Sequence, residues 1–268
     1  MPHALVSGGS SGIGLALSKI LAGEGWNVTI LARGQSRLEE ARAILNAARK
    51  NQSQRMIATP ADVADPIALG RAVEDAVAAL GAPDMVVASA GIVIPETFVQ
   101  LPPDAFRQTM EVNYFGTVDL VRACLPSMRA NRKGRIVLVS SGAGLIGLYG
   151  YSAYAPSKFA VRGFGEALRQ ELKPEGISVS VVFPPDTDTP QLREEIRVRP
   201  EITSRIAGGA KVKSAEEIAQ AVWDGVKRGR FVIAPGFEMT MLARFAGILL
   251  PILNRFSFDP LIARMHKP

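Results

Sequence analysis

Histidine and cysteine are scarce in this chain, and their scarcity removes whole classes of chemistry. Only two of the 268 residues are histidines, His3 and His266, and they stand at opposite ends of the sequence. A histidine-based metal centre or a Ser/His/Asp triad therefore has almost no material, and we expect no metal site. The single cysteine, Cys124, cannot form an internal disulfide, and its apolar neighbours Leu120 and Val121 favour a packing role in a reducing compartment.

Positive charge is in excess, but it is concentrated in one segment. From Lys227 to the end of the chain there are seven basic and two acidic residues, so this segment accounts for most of the formal net charge of +6. The basic residues alternate with Met, Leu, Ile and Phe, without the usual base-stacking platforms of nucleic-acid surfaces. We therefore expect no nucleic-acid partner, and a membrane surface fits the pattern better.

Short β-rich runs alternate with helix-length amphipathic stretches. The predicted strands are Ala4–Val6, Val28–Leu31, Arg55–Ala58, Met85–Ala88, Arg135–Val139, Ser178–Val182 and Phe231–Ala234. This alternation predicts an α/β fold with a doubly wound, parallel, seven-stranded sheet of Rossmann type. We expect one such domain over residues 1–236 and a C-terminal amphipathic segment over 237–268. The irregular segments Ile92–Pro103 and Pro184–Gly209 both follow strands, at the sheet edge where such folds bind ligands.

A glycine-rich turn follows the first predicted strand and leads directly into a helical pattern. Glycines permit a tight turn and close approach of a pyrophosphate, and a helix N-terminus offers N–H groups and a positive dipole. A purely structural turn is the alternative, but the strand-turn-helix context favours dinucleotide binding. The candidate cofactor residues of the turn are Gly8, Ser10, Ser11, Gly12, Ile13 and Gly14.

The end of the second strand bears on which dinucleotide binds. An NAD-selective site typically carries an acidic residue there, whereas this chain has Ala32 followed by Arg33, with Arg37 one turn on. A guanidinium suits a 2′-phosphate, so we predict NADPH, the alternative being that both arginines are ordinary surface residues. After the third strand, Asp62 and Val63 are candidates to touch the adenine, while an N-cap before Pro66 is the expected role of Asp65.

Catalytic residues are suggested by the spacing of Ser141, Tyr154 and Lys158. A phenol has a pKa of about 10, and an ammonium one helical turn away favours its ionised form. A serine at the end of a strand can hold a carbonyl oxygen beside that phenol. Tyr149 and Tyr151 are set aside, because no lysine stands four residues after either. The spacing predicts carbonyl reduction, with a solvated helix face as the alternative.

Together these motifs resemble the short-chain dehydrogenase/reductase family over residues 4 to about 234. In that family the tyrosine exchanges the substrate proton, the lysine binds the nicotinamide ribose, the serine positions the carbonyl and an asparagine helps to hold a relay water. The resemblance places these roles on Tyr154, Lys158, Ser141 and Asn113. It also implies cofactor contacts at Ala90, Gly91, Tyr154, Lys158, Pro184, Thr187 and Thr189, and a homodimer or homotetramer.

Two runs depart from the common family pattern. The usual Asn-Asn-Ala-Gly is Ala88-Ser89-Ala90-Gly91, so the bracing of that loop must come from Ser89, from water or from nothing. The usual Pro-Gly is Pro184-Pro185, continuing to Thr189, and this run resembles the 3-ketodihydrosphingosine (3-oxosphinganine) reductases, as do Arg162-Gly163 and Glu194-Glu195. That resemblance implies a long-chain amino-ketone lipid as substrate.

The amine of such a substrate would need a counter-ion. Asp186 or Asp188 could pair with it, and the alternative is that both only cap turns. Other lipid or steroid ketones remain alternative substrates, and a catalytically silent nucleotide sensor is the alternative of another class.

The segment 237–268 predicts peripheral membrane contact. Its longest uncharged apolar run, Phe245 to Leu253, is nine residues, short of the ~20 that a spanning helix needs. We expect it to lie in the interface and to be kinked or broken at Pro251, with packing on the body or on a second copy as the alternative. Because a predicted strand begins within three residues of Met1, we expect no signal peptide and a location on the cytoplasmic face of a membrane.

Overall fold

The computed structural model describes residues 1–208 and 211–265. Gly209, which ends the second irregular segment of the sequence, and residues 266–268 of the C-terminal segment, including His266, lie outside the described residues. The strands are β1 (His3–Ser7), β2 (Asn27–Ala32), β3 (Met56–Pro60), β4 (Met85–Ala88), β5 (Gly134–Val139), β6 (Ile177–Val182), β7 (Thr187–Asp188), β8 (Lys213–Ser214) and β9 (Val232–Ile233).

Helices lie between these strands and after the last of them. They are α1 (Gly12–Gly23), α2 (Gln35–Ala48), α3 (Pro66–Leu80), α4 (Pro103–Met110), α5 (Gly116–Ala130), α6 (Tyr154–Leu172), α7 (Pro190–Val198), α8 (Glu201–Ala207), α9 (Ala215–Lys227), α10 (Phe237–Leu253) and α11 (Asp259–Met265). Two π-helical turns, Glu111–Phe115 and Asn254–Phe258, join α4 to α5 and α10 to α11.

Seven strands form one parallel sheet in the order β3-β2-β1-β4-β5-β6-β9. This confirms the predicted doubly wound Rossmann-type fold, and each predicted strand is found within two residues at either end. The order reverses between β1 and β4, so the loops after their carboxyl ends part there and leave a crevice for a ligand. Both the glycine-rich turn and Ala90-Gly91 lie at that point.

The sheet is buried on both faces. Along β1, Ala4 and Val6 pack into one apolar cluster while Leu5 packs into the other, and α1, α2 and α9 contribute to the first, whereas α3, α5 and α6 contribute to the second. Parallel strands covered by helices on both sides read as continuous apolar runs, which is why the strands could be located from the sequence. Cys124 is fully buried in the second cluster, as its predicted packing role requires.

The C-terminal segment forms a largely exposed helical arm. One helical stretch, Phe237–Met265, is long and apolar enough by length and composition to cross a membrane, with mean hydropathy 1.3 and 6% of its most apolar window buried. The kink or break predicted at Pro251 is wrong, because α10 continues through Pro251 and its kink, with non-helical backbone, is at Phe245 (φ −129°, ψ 18°). Proline has a helical φ, so it can remain in a helix at the loss of one hydrogen bond.

The arm is tied to the body at its first turn. Met239 is 8% exposed and belongs to the second apolar cluster, the one that contains Leu5. It packs closely on Gly142, because a Cβ on Gly142 would lie 3.0 Å from Met239 Cε. Gly142 directly follows Ser141. The division of the chain at residue 236 into two domains remains a prediction.

Candidate active site

The glycine-rich turn is shaped by backbone contacts that no larger residue allows. Gly8 has φ +68°, and a Cβ there would lie 2.7 Å from Ala90 N; a Cβ on Gly14 would lie 2.4 Å from Gly8 O. Ser11, the N-cap of α1, makes no side-chain capping hydrogen bond, so the first N–H groups of this helix are left for a ligand. This close-packed turn and helix N-terminus fit the pyrophosphate of a dinucleotide.

Two adjoining clefts open at this edge of the sheet. The larger, about 600 Å³, is lined by Ser10, Arg33, Arg37, Asp62 and Val63, among others. The smaller, about 200 Å³, adds Gly12, Ile13, Ser141, Tyr154, Lys158, Pro184, Thr187 and Thr189. Gly8, Ser11, Ala90 and Gly91 line both. The structure thus brings nearly all predicted cofactor residues to one continuous crevice, with the arginines at one end and the catalytic candidates at the other.

Ser141, Tyr154 and Lys158 meet because strand β5 ends where helix α6 begins. Ser141 follows β5 and caps a short 3₁₀ turn, where its Oγ accepts a hydrogen bond from Ala143 N at 3.1 Å. Tyr154 is the first residue of α6, and it lines the smaller cleft together with Ser141, whose side chain is near enough to act on the pKa of the phenol. Lys158 lies one turn on, 5% exposed, and its Nζ donates to Val139 O at 3.1 Å and lies 5.7 Å from the centroid of the Tyr154 ring.

The pKa values of this group are governed by burial. Burial raises the pKa of Tyr154, and the interaction with the nearby Ser141 side chain only partly opposes this. Burial also lowers the pKa of Lys158 to about 8. The lowered tyrosine pKa expected from the Tyr-x-x-x-Lys spacing is wrong for this structure, because removing the phenol from water outweighs the stabilisation of its ionised form. Tyr154 is therefore protonated at neutral pH, as a proton donor to a ketone must be.

Asn113 lies in the π-helical turn between α4 and α5 and is almost fully buried. Its Oδ1 accepts from Ile92 N at 2.8 Å, and its Nδ2 donates to Ile92 O and to Ser157 Oγ, each at 2.9 Å. Its amide therefore clamps the loop after β4 to α6. Asn113 lines neither cleft, so a role for this residue in holding a relay water stays a prediction.

The loop after β4 is braced by a residue that sequence reasoning missed. Ser7 Oγ accepts hydrogen bonds from Ser89 N at 3.3 Å and from Ala90 N at 3.4 Å. The sequence had left Ser89, water or no bracing at all as the alternatives, whereas the side chain that braces the loop belongs to a serine on the neighbouring strand β1. Parallel pairing of β1 with β4 places Ser7 opposite Ala88, and that register was the available signal.

A second missed group lines the smaller cleft beside Tyr154. Tyr151, set aside in the sequence, packs edge-on against Tyr154 with ring centroids 5.5 Å apart, and its hydroxyl donates to Glu195 Oε1. Arg199 donates to Glu195 through Nε at 2.9 Å and to Asp186 Oδ2 through Nη1 at 2.8 Å. The signals for this cluster in the sequence were the pair Glu194-Glu195 and the substrate candidate Asp186, and nothing in the sequence pointed to Tyr151 or Arg199.

The two substrate candidates separate in the structure. Asp186 lines the smaller cleft and is ion-paired with Arg199, whose side chain is 4% exposed. Asp188 lines neither cleft, and its exposed carboxylate pairs with Arg193 at 2.9 Å.

Gly14, among the cofactor candidates, also lines neither cleft and instead packs against Gly8 O. Asp65 caps α3 as predicted, accepting from Ile67 N and Ala68 N at 3.0 Å.

The parallel sheet, the glycine-rich crevice and the Ser-Tyr-Lys group define an oxidoreductase of the nicotinamide-dependent class. The family model for short chain dehydrogenases matches residues 2–199, and the chain belongs to that family. Within it, the chain is 38% identical to 3-dehydrosphinganine reductase from Danio rerio over 253 residues, covering 94% of this chain and 76% of that protein. It is 39% identical to 3-dehydrosphinganine reductase TSC10B from Arabidopsis thaliana, covering 94% and 72% of the two chains.

Solved structures share the fold. A short chain dehydrogenase from Mycobacterium paratuberculosis bound to NAD superposes with a TM-score of 0.76 at 27% identity, covering 86% of this chain and 94% of that one. A short chain dehydrogenase/reductase from Burkholderia phymatum in complex with NAD gives a TM-score of 0.82 at 21% identity, covering 94% of each chain.

Proposed function

We propose that this protein reduces the ketone of 3-oxosphinganine to dihydrosphingosine with NADPH, a step of sphingolipid biosynthesis. The observation that carries the reaction is that Ser141, Tyr154 and Lys158 line one cleft at the end of the crevice that the glycine-rich turn opens, with Lys158 Nζ 5.7 Å from the centroid of the Tyr154 ring. The similarity to 3-dehydrosphinganine reductases over 94% of the chain supports the substrate.

The residues divide the work by their chemistry. A bound nicotinamide dinucleotide would supply the hydride for the carbonyl carbon. Tyr154 gives its phenolic proton to the carbonyl oxygen, and the Ser141 hydroxyl holds that oxygen beside the phenol. Lys158, with its Nζ near Gly91, is placed to bind the ribose hydroxyls of the cofactor.

The preference for NADPH rests on two exposed arginines. Arg33 and Arg37 line the larger cleft, and within residues 1–208 and 211–265 neither forms a hydrogen bond or an ion pair with the protein. Two unpaired guanidiniums beside a cavity suit a 2′-phosphate, and the strand end at Ala32 has no carboxylate for a 2′-hydroxyl. Replacing both arginines by alanine should lower kcat/KM for NADPH roughly 10- to 100-fold and leave that for NADH nearly unchanged.

The reaction is tested by following oxidation of NADPH and NADH with 3-oxosphinganine, a 3-ketosteroid and a short 3-ketoester. We expect turnover of 3-oxosphinganine with NADPH, a loss of at least about 100-fold in kcat for Tyr154→Phe, and little change for the matched control Tyr114→Phe, which packs on Phe164 away from the clefts. Turnover of the ketosteroid alone would reject the proposed substrate, and no turnover of any ketone would favour a nucleotide sensor.

We further propose that residues 237–268 bind the protein to the cytoplasmic face of a membrane. Support comes from the exposed apolar side chains of the arm, where Ile248 is 67% and Phe256 71% exposed. In liposome flotation, Ile248→Glu with Ile252→Glu should release the protein, whereas the matched pair Ile44→Glu with Ile67→Glu, on exposed positions of α2 and α3, should not. Equal flotation of both variants would remove the arm from the proposal.

Association into a homodimer or homotetramer is also part of the proposal. It is supported by the half-exposed rings of Phe115 and Phe159, 46% and 41% exposed on the adjoining π-helical turn and α6. Light scattering of the wild type and of Phe159→Glu should give a multimer and a smaller species, respectively.

A further inference from the structure

The cluster beside Tyr154 carries an unbalanced negative charge. Two carboxylates, Asp186 and Glu195, share one guanidinium, that of Arg199. Arg199 itself does not line the smaller cleft, and Lys158 is the only cation among the described residues that does. Lys158 donates its hydrogen bond to Val139 O, and within the described part of the chain no ion pair joins it to either carboxylate. A buried charge in excess is costly unless a partner neutralises it.

Among the described residues, each of the two carboxylates accepts hydrogen bonds through only one of its two oxygens. All three hydrogen bonds to the Glu195 side chain, from the Tyr151 hydroxyl and from Arg199 Nε and Nη2, end on Oε1. Arg199 reaches Asp186 through Oδ2. Among the described residues, neither Glu195 Oε2 nor Asp186 Oδ1 has a hydrogen-bond donor, although the Glu195 side chain is only 9% exposed and lines both clefts. These two oxygens are open sites for a cationic donor.

Resting on the proposed function, we infer that Glu195, together with Asp186, binds the ammonium group of the substrate, and that Tyr151 and Arg199 are positioning residues for these carboxylates. The substrate carries its ammonium on the carbon next to the ketone, so its counter-ion must lie close to the proton donor. The ring of Tyr151 packs edge-on against that of Tyr154, with centroids 5.5 Å apart, and its hydroxyl donates a hydrogen bond to Glu195. Besides burial, which is the main cause, the charges of Glu195 and Asp186 raise the pKa of Tyr154, which agrees with their proximity.

The test compares two ketones of equal chain length, 3-oxosphinganine and its analogue with hydrogen in place of the amine. Glu195→Gln keeps the shape of the side chain and removes its charge. We expect KM for the amino-ketone to rise roughly 10- to 100-fold, the range for a hydrogen bond between charged groups, with KM for the analogue changed less than about threefold. The matched control is Glu201→Gln, whose carboxylate also pairs with an arginine four residues on, Arg205, but on an exposed surface; it should change neither value.

A second measurement is independent of how the variant folds. In the wild type, octylamine should inhibit more strongly than octanol, by at least about tenfold, if the cluster binds an ammonium. An unchanged KM ratio for Glu195→Gln, or equal inhibition by amine and alcohol, would overturn the inference while the proposed reaction stands. Failure of the wild type to reduce either ketone would overturn the proposed function and the inference with it.

Discussion

Replacement of Lys158 by methionine should stabilise the protein while it abolishes ketone reduction. Burial lowers the pKa of this lysine from its ordinary value of 10.5 to about 8. At 1.36 kcal/mol for each pKa unit, keeping the ammonium protonated in the folded protein costs about 3 kcal/mol at pH 7. Loss of the hydrogen bond to Val139 O offsets about 1 kcal/mol of the gain, so we expect the free energy of unfolding to rise by about 2 kcal/mol.

The gain should depend on pH in a defined direction. Above pH 10.5 the amine is neutral in both the folded and unfolded chains, and wild-type Lys158 imposes no ionisation cost. As pH falls from 10.5 toward 8, the unfolded chain takes up the proton first, so the folded state loses stability, and below pH 8 the full cost is present. The advantage of Lys158→Met should therefore shrink by about 1 kcal/mol between pH 7 and pH 9.

Urea denaturation without cofactor, at pH 7, 8 and 9, measures this difference. Groups common to both proteins cancel when the variant is compared with the wild type at each pH. The control Lys19→Met, on the exposed face of α1, should change stability by less than about 0.5 kcal/mol at every pH. A Lys158→Met protein that is less stable than the wild type at pH 7, or whose advantage does not vary with pH, would refute the reasoning.

Three further outcomes follow from the packing. Gly14→Ala should weaken dinucleotide binding at least about tenfold in a fluorescence titration, because the new Cβ would press on Gly8 O. The control Gly70→Ala, which has no atom within 4 Å of the new Cβ, should instead raise the free energy of unfolding by about 0.5–1 kcal/mol. Asn113→Asp should destabilise the protein by about 2 kcal/mol in urea denaturation, since the carboxylate cannot donate to Ile92 O and Ser157. Cys124, whose pKa burial raises to about 12, should react with a thiol reagent only after denaturant is added, and a fast reaction in buffer would contradict this.

The features that could be predicted from the sequence are those set by local pattern. The central strands of the main sheet, such as β1, β2 and β4, were found because each is a short apolar run buried on both faces. The edge strands β3 and β9 are only partly buried, and their β-rich runs still located them. Asp65 was recognised as an N-cap because its role depends only on the residues that follow it. The glycine-rich turn and the group of Ser141, Tyr154 and Lys158 could be assigned to one site from the sequence. All of them lie close to predicted ends of strands or beginnings of helices, which meet at one edge of the sheet.

Features that depend on contacts between residues far apart in the sequence could not be predicted from it. Ser7 braces a loop more than 80 residues away, and Tyr151 meets Glu195 across 44 residues, so neither contact leaves a spacing that could be read. The direction of the Tyr154 pKa depends on how deeply α6 is buried, which a four-residue motif does not report. The short pairing of β7 with β8 and the break at Phe245 likewise depend on how chain segments pack.

Helix α7 connects the glycine-rich turn with the carboxylate cluster beside Tyr154. Thr189 caps its first turn, where a Cβ on Gly12 would lie 2.9 Å from Thr189 Cγ2, and its last turns carry Glu195 toward Arg199 and Asp186. Nine residues of helix make a rod about 14 Å long. A ligand that fixes the position of the first turn of α7 therefore also fixes the position of Glu195 near the other end. Bound dinucleotide should then raise the affinity for the amino-ketone, and bound amino-ketone should raise the affinity for the dinucleotide by the same factor.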